Sequence, residues 1–163
     1  IWSQKNEHRV CTPPASTPAY LNRLEEGGPT YKRGSIVRVT MTNFVTYTYG
    51  EFLPGPQLNV VVGPNGSGKS SIVCGIVLGL GGNPTVLGRS KNPADYIKHG
   101  EDRAIIETEL YDGENENVVI KRIITDDGKS EWYLNNQSST KKEILEVAMS
   151  YNIQVGNLCQ LLP

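Results

Sequence analysis

Apolar and polar residues alternate along two successive segments near the start of the patterned part of the chain. Residues 34–44 (GSIVRVTMTNF) set Ile36, Val37 and Val39 among polar positions, and residues 45–52 (VTYTYGEF) alternate β-branched and aromatic residues with polar ones. A period of two sends successive side chains to opposite faces of a pleated strand. The pattern therefore predicts two strands over these segments.

A short apolar run and a helical pattern come next. Residues 58–63 (LNVVVG) are apolar and end in glycine, which is typical of a buried strand, and residues 54–57 (PGPQ) before them predict a turn. Apolar residues then recur at helical spacing over residues 69–80 (KSSIVCGIVLGL), and a pair of glycines after Leu80 predicts the end of this helix. The predicted order is therefore strand, loop and helix.

The second half of the chain predicts an antiparallel meander and a final helix. Strands are predicted at residues 103–112, 117–127 and 129–136, with turn-forming residues between them. A short helix is predicted before them at residues 92–100, with Asn92 as its cap. Residues 139–152 predict an amphipathic helix, for which Thr140 and Glu143 have the spacing of a capping box. The predicted fold class is α/β, with an antiparallel β-subdomain beside a strand–helix unit.

Composition divides the chain into an arm and one domain. Prolines and glycines crowd residues 1–33, which are therefore predicted to form an irregular N-terminal arm. Residues 34–163 are long enough for one domain with its own core. The net charge is −1, so any contact with nucleic acid would have to come from a local patch or from another subunit. Because the chain begins with Ile1 and stops within an apolar segment at Pro163, we expect a piece of a longer protein.

Cysteines and histidines indicate neither a disulfide framework nor a metal site. The cysteines Cys11, Cys74 and Cys159 are odd in number and form no CxxC pair, which indicates reduced thiols. Cys74 falls on the predicted helix and is expected in the core. The histidines, His8 and His99, are too isolated to propose metal ligands. No stretch approaches the ~20 apolar residues needed to cross a bilayer, so no membrane contact is predicted.

The motif with the most specific chemistry runs from Gly63 to Ser70. The sequence GPNGSGKS fits the pattern G-x-x-x-x-G-K-[ST] and lies between the predicted buried strand and the predicted helix, which is the context that supports the pattern. Its four fixed positions would match by accident in roughly one chain of this length in 200. The sequence therefore predicts a P-loop that binds ATP, with Mg²⁺ as cofactor.

Each residue type in the motif suits a triphosphate. Backbone N–H groups of residues 66–69 can form a nest of donors for phosphate oxygens, and the glycines let the backbone turn tightly. The helix that starts near Lys69 adds a partial positive charge, Lys69 reaches the β- and γ-phosphates, and the Ser70 hydroxyl is a ligand for Mg²⁺. The predicted nucleotide-binding residues are Gly63, Pro64, Asn65, Gly66, Ser67, Gly68, Lys69, Ser70 and Ser71.

Longer stretches of the chain resemble one family of ATPases. Residues 54–82 (PGPQLNVVVGPNGSGKSSIVCGIVLGLGG) resemble the Walker A segment of ABC-type ATPases and, among these, of the SMC (structural maintenance of chromosomes) family. Residues 34–52, 68–89 and 152–163 are similar to the branch of that family that acts in DNA repair as a pair of a fifth and a sixth subunit, and most similar to the fifth. The resemblance covers residues 34–163 and implies the N-terminal lobe of an ABC-type ATPase head.

The resemblance also implies roles for residues outside the motif. Gln160 would be the Q-loop glutamine, which touches Mg²⁺ and the attacking water, and Arg89 would be the R-loop arginine, which couples DNA contact to hydrolysis. Asn65 would face the γ-phosphate, and Thr46 would lie at a strand turn beside the nucleotide. Without the resemblance, Gln160 is a terminal polar residue and Arg89 a solvated loop cation.

The resemblance implies a function that needs parts absent from this sequence. An SMC head is built from both ends of a long chain, and its C-terminal lobe brings the signature motif, the Walker B acid and the catalytic glutamate. Asp126 and Asp127 follow an apolar run but precede Gly128, which indicates a hairpin turn and not a Walker B site. We therefore expect ATPase turnover only in the assembled head. The implied partners are that C-terminal lobe, the sixth SMC subunit, non-SMC subunits and DNA, on chromosomes in the nucleus.

Other classes of function stay open at this point. One is an ABC-type repair ATPase of the Rad-fifty or RecN kind, and another is a structural module that binds nucleotide without turnover. A small-molecule kinase is disfavoured because the strand meander offers no acceptor or lid segments. Hydrolysis measured with the C-terminal lobe restored would separate the ATPases from the structural module.

Overall fold

The computed structural model describes residues 30–88 and 90–156, and its centre is a six-stranded antiparallel sheet with the order β2-β1-β3-β4-β5-β6. The strands are β1 (Ile36–Phe44), β2 (Tyr47–Phe52), β3 (Arg103–Leu110), β4 (Val118–Thr125), β5 (Ser130–Leu134) and β6 (Gln137–Ser139). The helices are α1 (Lys69–Gly79) and α2 (Lys141–Ser150), with short 3₁₀ helices at Pro84–Leu87 and Pro93–Tyr96. The predicted α/β class and the antiparallel subdomain are confirmed.

One face of the sheet carries the core. Alternate residues of the strands point to this face and are almost fully buried, among them Met41 on β1, Ile106 on β3, and Ile120 and Ile124 on β4. α1 lies against β1, β3 and β4, and α2 lies against β5. The period-two alternation in the sequence therefore decides which face of the sheet the helices cover.

The strand predicted at residues 129–136 divides in two. Asn135 and Asn136 have φ values of 48° and 65°, as in a two-residue hairpin turn, and asparagine tolerates this conformation better than most residues. β5 therefore ends at Leu134, and β6 pairs back on it. The Asn135 side chain also accepts a hydrogen bond from the N–H of Val119 at 2.8 Å, which ties the hairpin to β4.

The predicted helix caps are confirmed. The N–H of Glu143 donates to Thr140 Oγ1 at 3.3 Å, and the N–H of Thr140 donates to Glu143 Oε2 at 2.8 Å, so both capping-box bonds start α2. Asn92 Oδ1 accepts from the N–H of Ala94 at 3.1 Å and starts a single 3₁₀ turn. No helix in the described part of the chain is long and apolar enough to cross a membrane.

α1 packs on the sheet through its glycines. A Cβ at Gly79 would lie 2.7 Å from Thr108 Oγ1 and 2.9 Å from Ile106 Cγ2, and a Cβ at Gly75 would meet Met41 Sδ. Only glycine lets the helix backbone come this close to β1 and β3. The same helix buries Cys74, as predicted for a core cysteine.

The strand predicted at residues 58–63 is wrong. This segment pairs with none of the six strands, and Leu58, Val60 and Val62 are 90%, 71% and 79% exposed. Only Val61, which lies between them, packs partly against the core. A buried strand needs a neighbour to satisfy its backbone hydrogen bonds, and no described strand takes that place. The segment therefore keeps the apolar residues of a buried strand but lies at the surface.

The first described residues are already packed on the domain. Residues 30–33 form neither strand nor helix, but Tyr31 is buried and its Oη donates to the carbonyl oxygen of Pro54 at 2.6 Å. The packed part of the chain therefore begins before Gly34, the predicted boundary. The rest of the predicted arm, residues 1–29, lies outside the described residues.

A polar cluster joins the segment before β1 to the end of α2. Arg33 lies over the ring of Tyr151, 4.5 Å from its centroid, and Tyr151 Oη donates to Asp112 Oδ1 at 2.6 Å. This bond and those from Asn115 hold the pKa of the Asp112 carboxyl down at about 2. Asp112 is therefore ionised at neutral pH, and it fixes Tyr151 against the end of β3.

We predict that Gly79→Ala destabilises the fold although alanine is the better helix former. Helix propensity alone favours alanine by ~1 kcal/mol, but the new methyl group must displace Thr108 and Ile106 in a fully buried interface, at a cost on the order of 1–3 kcal/mol. Chemical denaturation measures the free energy of unfolding. Gly156→Ala is the control, because a Cβ there meets no heavy atom within 4 Å. A Gly79→Ala protein as stable as wild type would contradict the close packing.

Candidate nucleotide-binding site

The predicted P-loop leads directly into α1. Gly66 and Gly68 have φ values of 82° and 87°, a left-handed conformation that residues with a Cβ rarely adopt. The N–H of Ser67 donates to the carbonyl oxygen of Pro64 at 3.3 Å, which closes a turn within the loop. The two glycines and this turn bring the loop back over the amino end of α1.

The amino end of α1 has no side-chain cap. Gly68 occupies the cap position, and no acidic residue lies in the first turn. An α-helix leaves its first N–H groups without helical partners and carries a partial positive charge at that end. α1 therefore presents hydrogen-bond donors and a positive potential to an anion held by the loop.

Lys69 bonds to the start of its own loop. Its Nζ donates to the carbonyl oxygens of Gly63 and Pro64, each at 2.7 Å. An ammonium group has three N–H donors, so one remains for a phosphate oxygen. The lysine thus holds the loop closed and keeps its charge at the cleft.

Tyr47 is a residue of this site that sequence analysis missed. Its Oη donates to the carbonyl oxygen of Gly68 at 3.2 Å, and a Cβ on Gly68 would collide with the tyrosine hydroxyl. Thr46, which was predicted at this place, is its exposed neighbour in the turn between β1 and β2. Tyr47 therefore contacts the loop from this side, and the position of Thr46 beside the nucleotide remains a proposal from the resemblance.

Hydrogen bonds from a neighbouring segment hold this turn in place. Val45 has a φ of 51°, which is unfavourable for a β-branched residue. Its N–H donates to the carbonyl oxygen of Tyr96 at 2.8 Å, and the N–H of Lys98 donates to the carbonyl oxygen of Asn43 at 2.9 Å. These bonds fix the turn and, with it, the direction of Tyr47 towards the P-loop.

A cleft of about 370 Å³ lies between the turn and the loop. Its lining residues are Tyr47, Val61, Val62, Gly63, Pro64, Ser67, Lys69 and Ile72. Ser70, at the start of α1, is exposed, whereas Ser71 is 3% exposed and lies on the packed side of the helix. The exposed residues of the predicted motif therefore lie at an open cleft, which the phosphate chain of a nucleotide can enter.

Ser70 fits the predicted magnesium site. Its hydroxyl lies in the exposed first turn of α1, beside the loop, and Mg²⁺ in nucleotide sites takes few protein ligands besides phosphate oxygens and water. Among residues 30–88 and 90–156, no group of three His, Cys, Asp or Glu side chains could hold a metal ion by itself. From the described residues, a magnesium ion here would therefore have the Ser70 hydroxyl together with phosphate oxygens and water. Gln160, the other predicted ligand, and Arg89 lie outside the described residues.

Known proteins resemble this chain in sequence. Residues 35–159 match the RecF/RecN/SMC N terminal domain. The chain is 44% identical over 133 residues to structural maintenance of chromosomes protein 5 of Schizosaccharomyces pombe and 42% identical over 142 residues to that of Arabidopsis thaliana. It is 35% identical over 144 residues to structural maintenance of chromosomes protein 6 of Takifugu rubripes. These matches cover 82%, 86% and 79% of this chain but only 12%, 14% and 13% of the three relatives.

Solved structures resemble it in fold. A chain described under ATP-driven dimerization and DNA stimulated activation of SMC ATPases has a TM-score of 0.67 and 26% identity, covering 73% of this chain and 80% of that one. An Smc head bound to the C-winged helix domain of ScpA has a TM-score of 0.70 and 26% identity, covering 75% and 42%. RecF with ATP, at 19% identity, shares the fold alone. The matches favour an SMC head over a Rad-fifty- or RecN-like ATPase.

We predict that Gly68→Ala damages nucleotide binding more than Gly66→Ala does. Both positions need a positive φ, but a methyl group at Gly68 also meets Tyr47, whereas one at Gly66 meets no heavy atom within 4 Å. Calorimetric titration with Mg-ATP should show an affinity roughly tenfold lower for Gly68→Ala than for Gly66→Ala. Adding Tyr47→Ala to Gly68→Ala should recover part of that loss. Equal affinities of the two single variants would show that Tyr47 does not limit the loop.

Proposed function

We propose the function that follows from one premise: this chain belongs to the SMC family, as an N-terminal head domain similar to that of structural maintenance of chromosomes protein 5. The proposal is that it is the ATP-binding lobe of an SMC ATPase head. The observation that carries it is the P-loop that Lys69 holds closed over the uncapped amino end of α1. Glycine backbone, helix dipole and ammonium group together suit a triphosphate.

The residues of the cleft have distinct tasks in this proposal. N–H groups of the loop and of the first turn of α1 bind phosphate oxygens, Lys69 neutralises the β- and γ-phosphates, and the Ser70 hydroxyl holds Mg²⁺. When bound, magnesium supplies further neutralisation of the charge on the phosphates. Asn65 is exposed in the loop and is assigned to the γ-phosphate side. Tyr47 supports the loop from the sheet through its bond to Gly68.

A C-terminal lobe of the same protein completes the head in this proposal. Leu58, Val60 and Val62 form an exposed apolar segment, and beside it an open groove of about 580 Å³ is lined by Val73 and Ile76 of α1, among others. Contiguous apolar surface of this kind marks an interaction site. The chain also covers only 12% of the Schizosaccharomyces pombe relative. The rest of such a protein could supply the surface that covers this apolar segment. That lobe would bring the signature motif, the Walker B acid and the catalytic glutamate.

The wider assembly is proposed from the relatives. Structural maintenance of chromosomes protein 6 is itself similar to this chain, which supports the sixth SMC subunit as a heterodimer partner built on the same head. One solved neighbour is described in terms of ATP-driven dimerization and DNA stimulated activation, and another is bound to a domain of ScpA. We assign ATP-dependent engagement of the two heads, DNA entrapment and recombinational repair to the assembled complex. Its location would be on chromosomes in the nucleus, with non-SMC subunits as further partners.

Two residues outside the described part keep their proposed roles. Arg89 is assigned to the coupling of DNA contact to hydrolysis, and it follows the 3₁₀ helix Pro84–Leu87 that comes after α1. Gln160 is assigned to Mg²⁺ and the attacking water. Both assignments rest on the family resemblance, because neither side chain carries such a role by its local sequence.

We predict that Lys69→Ala removes most ATP binding. The change deletes a charge-assisted contact to phosphate and the two bonds that close the loop, so Mg-ATP affinity should fall by at least about tenfold. Calorimetric titration of this chain, and of the protein with both lobes, measures the affinity. Lys142→Ala is the control for loss of one positive charge, because its side chain is 87% exposed on α2. Unchanged binding by Lys69→Ala, or no saturable binding by wild type in either form, would contradict the proposal.

We predict that Val60→Asp blocks association with the C-terminal lobe. The Val60 side chain is exposed, so the change should leave the fold of this lobe intact, but an aspartate buried without a partner in the joined head is costly. Co-purification of the two lobes measures association, and thermal unfolding checks the fold. Met149→Asp on α2 is the matched control, because Met149 is also exposed and does not line the groove. Normal association of Val60→Asp would count against this surface.

A further inference from the structure

Arg122 is a buried arginine that pairs with no carboxylate of the described residues. It lies on β4, is 4% exposed, and points to the helix-covered face together with Ile120 and Ile124. No ion pair joins it to an aspartate or glutamate in the described part of the chain. Burial lowers the pKa of its guanidinium to about 10, so it is still charged at neutral pH. Since buried charges need compensation, its neighbours must supply it.

The compensation comes from the carboxyl end of α1 and from β5. Arg122 Nη1 donates to the carbonyl oxygen of Leu78, in the last turn of α1, at 2.9 Å. Its Nε and Nη2 donate to Ser130 Oγ at 3.2 and 3.0 Å, and the guanidinium lies over the Trp132 ring, 4.6 Å from its centroid. The carboxyl end of a helix carries a partial negative charge. Arg122 therefore ties the end of α1 to β4 and β5.

This tie lies at the other end of the helix that carries the P-loop. Leu78 lies nine positions after Lys69, which corresponds to ~14 Å along a helix axis, so Arg122 is too far away to touch a nucleotide in the loop. Thr108 also lies beneath this end of α1, but its buried Oγ1 has no hydrogen-bond partner among the described residues. The polar link between this end of α1 and the sheet is therefore made by Arg122.

We propose that Arg122 is a positioning residue for the nucleotide site: it anchors the carboxyl end of α1 on β4 and β5 and so fixes where the amino end presents its N–H donors. The inference rests on the proposed binding of ATP. At this end of α1, Val77 and Leu78 pack on apolar side chains of the sheet, and the guanidinium adds directional hydrogen bonds that apolar packing does not supply. Without this anchor the N–H donors of α1 are still present but are displaced, so the affinity for Mg-ATP falls and binding is not abolished.

The test compares three substitutions in the full-length protein. Arg122→Met keeps an unbranched side chain of similar length but removes the charge and the donors, and its Mg-ATP affinity should fall about tenfold. Arg122→Lys restores a charge and one donor to Leu78 and should recover part of the affinity. Asp112→Asn weakens a different buried polar cluster that does not include α1, so it should lower the melting temperature and leave the affinity at the wild-type value. Affinities are measured by calorimetry below the melting temperature of each variant.

The outcomes separate this inference from the proposed function. Wild-type affinity in a folded Arg122→Met protein would overturn the inference, and so would an equal loss in Asp112→Asn, since general loosening would then explain both. If Arg122→Met does not fold, Ser130→Ala, which removes only the acceptor for Nε and Nη2, should lower the affinity about threefold, and unchanged affinity there overturns it. Absence of Mg-ATP binding by wild type, or full binding by Lys69→Ala, contradicts the proposed function itself and this inference with it.

Discussion

The closeness of α1 to the sheet is the contact on which the site depends. Gly75 and Gly79 lie against side chains of β1 and β3 at a distance that leaves no room for a Cβ. The helix begins at Lys69, directly after the loop, so the height of α1 above the strands also sets the height of the loop and its donors. Two glycines weaken the helix by ~1 kcal/mol each in propensity, and burial of its apolar residues offsets that loss.

α1 is apolar on more sides than the described sheet covers. Ile72, Val77 and Leu78 are buried, whereas Val73 is 38% exposed and lines the open groove. The neighbouring segment at residues 58–63 is exposed in the same way. The phosphate-binding loop is therefore formed from local backbone, while the surface around it is suited to be covered by another part of the protein. In the proposed function, nucleotide binding and turnover therefore belong to two separable lobes.

Patterns within a few residues were predictable from the sequence. The capping box at Thr140 and Glu143, the P-loop before α1 and the alternation in β1, β3 and β4 depend on neighbours along the chain, and the structure has them as predicted. The wrong strand at residues 58–63 shows the limit, because an apolar run does not reveal whether a pairing strand is present. Two asparagines with positive φ separate β5 from β6. The strand pattern did not predict this division, because the predicted strand included both asparagines.

Contacts between distant segments were not predictable in this way. The hydrogen bond from Tyr47 to Gly68 joins residues 21 positions apart in the sequence, and the bond from Arg122 to Leu78 joins residues 44 positions apart. No local sequence pattern predicts either bond. The SMC assignment came from longer stretches of sequence that resemble this family, and the comparisons confirm the assignment. The roles of Gln160 and Arg89 came from that resemblance alone, and they remain proposals.

The most direct test of the central claim is an amide NMR titration of the isotope-labelled chain with Mg-ATP. If the proposed function is correct, the N–H resonances of Gly66, Gly68 and Lys69 shift most and follow one saturation curve, because these N–H groups would bind the phosphates. The resonances of the β4–β5 hairpin around Gly128 should stay in place. Saturable shifts at the hairpin without shifts in the loop, or no saturable shift in the loop when the C-terminal lobe is also present, would contradict the claim that this loop holds the triphosphate.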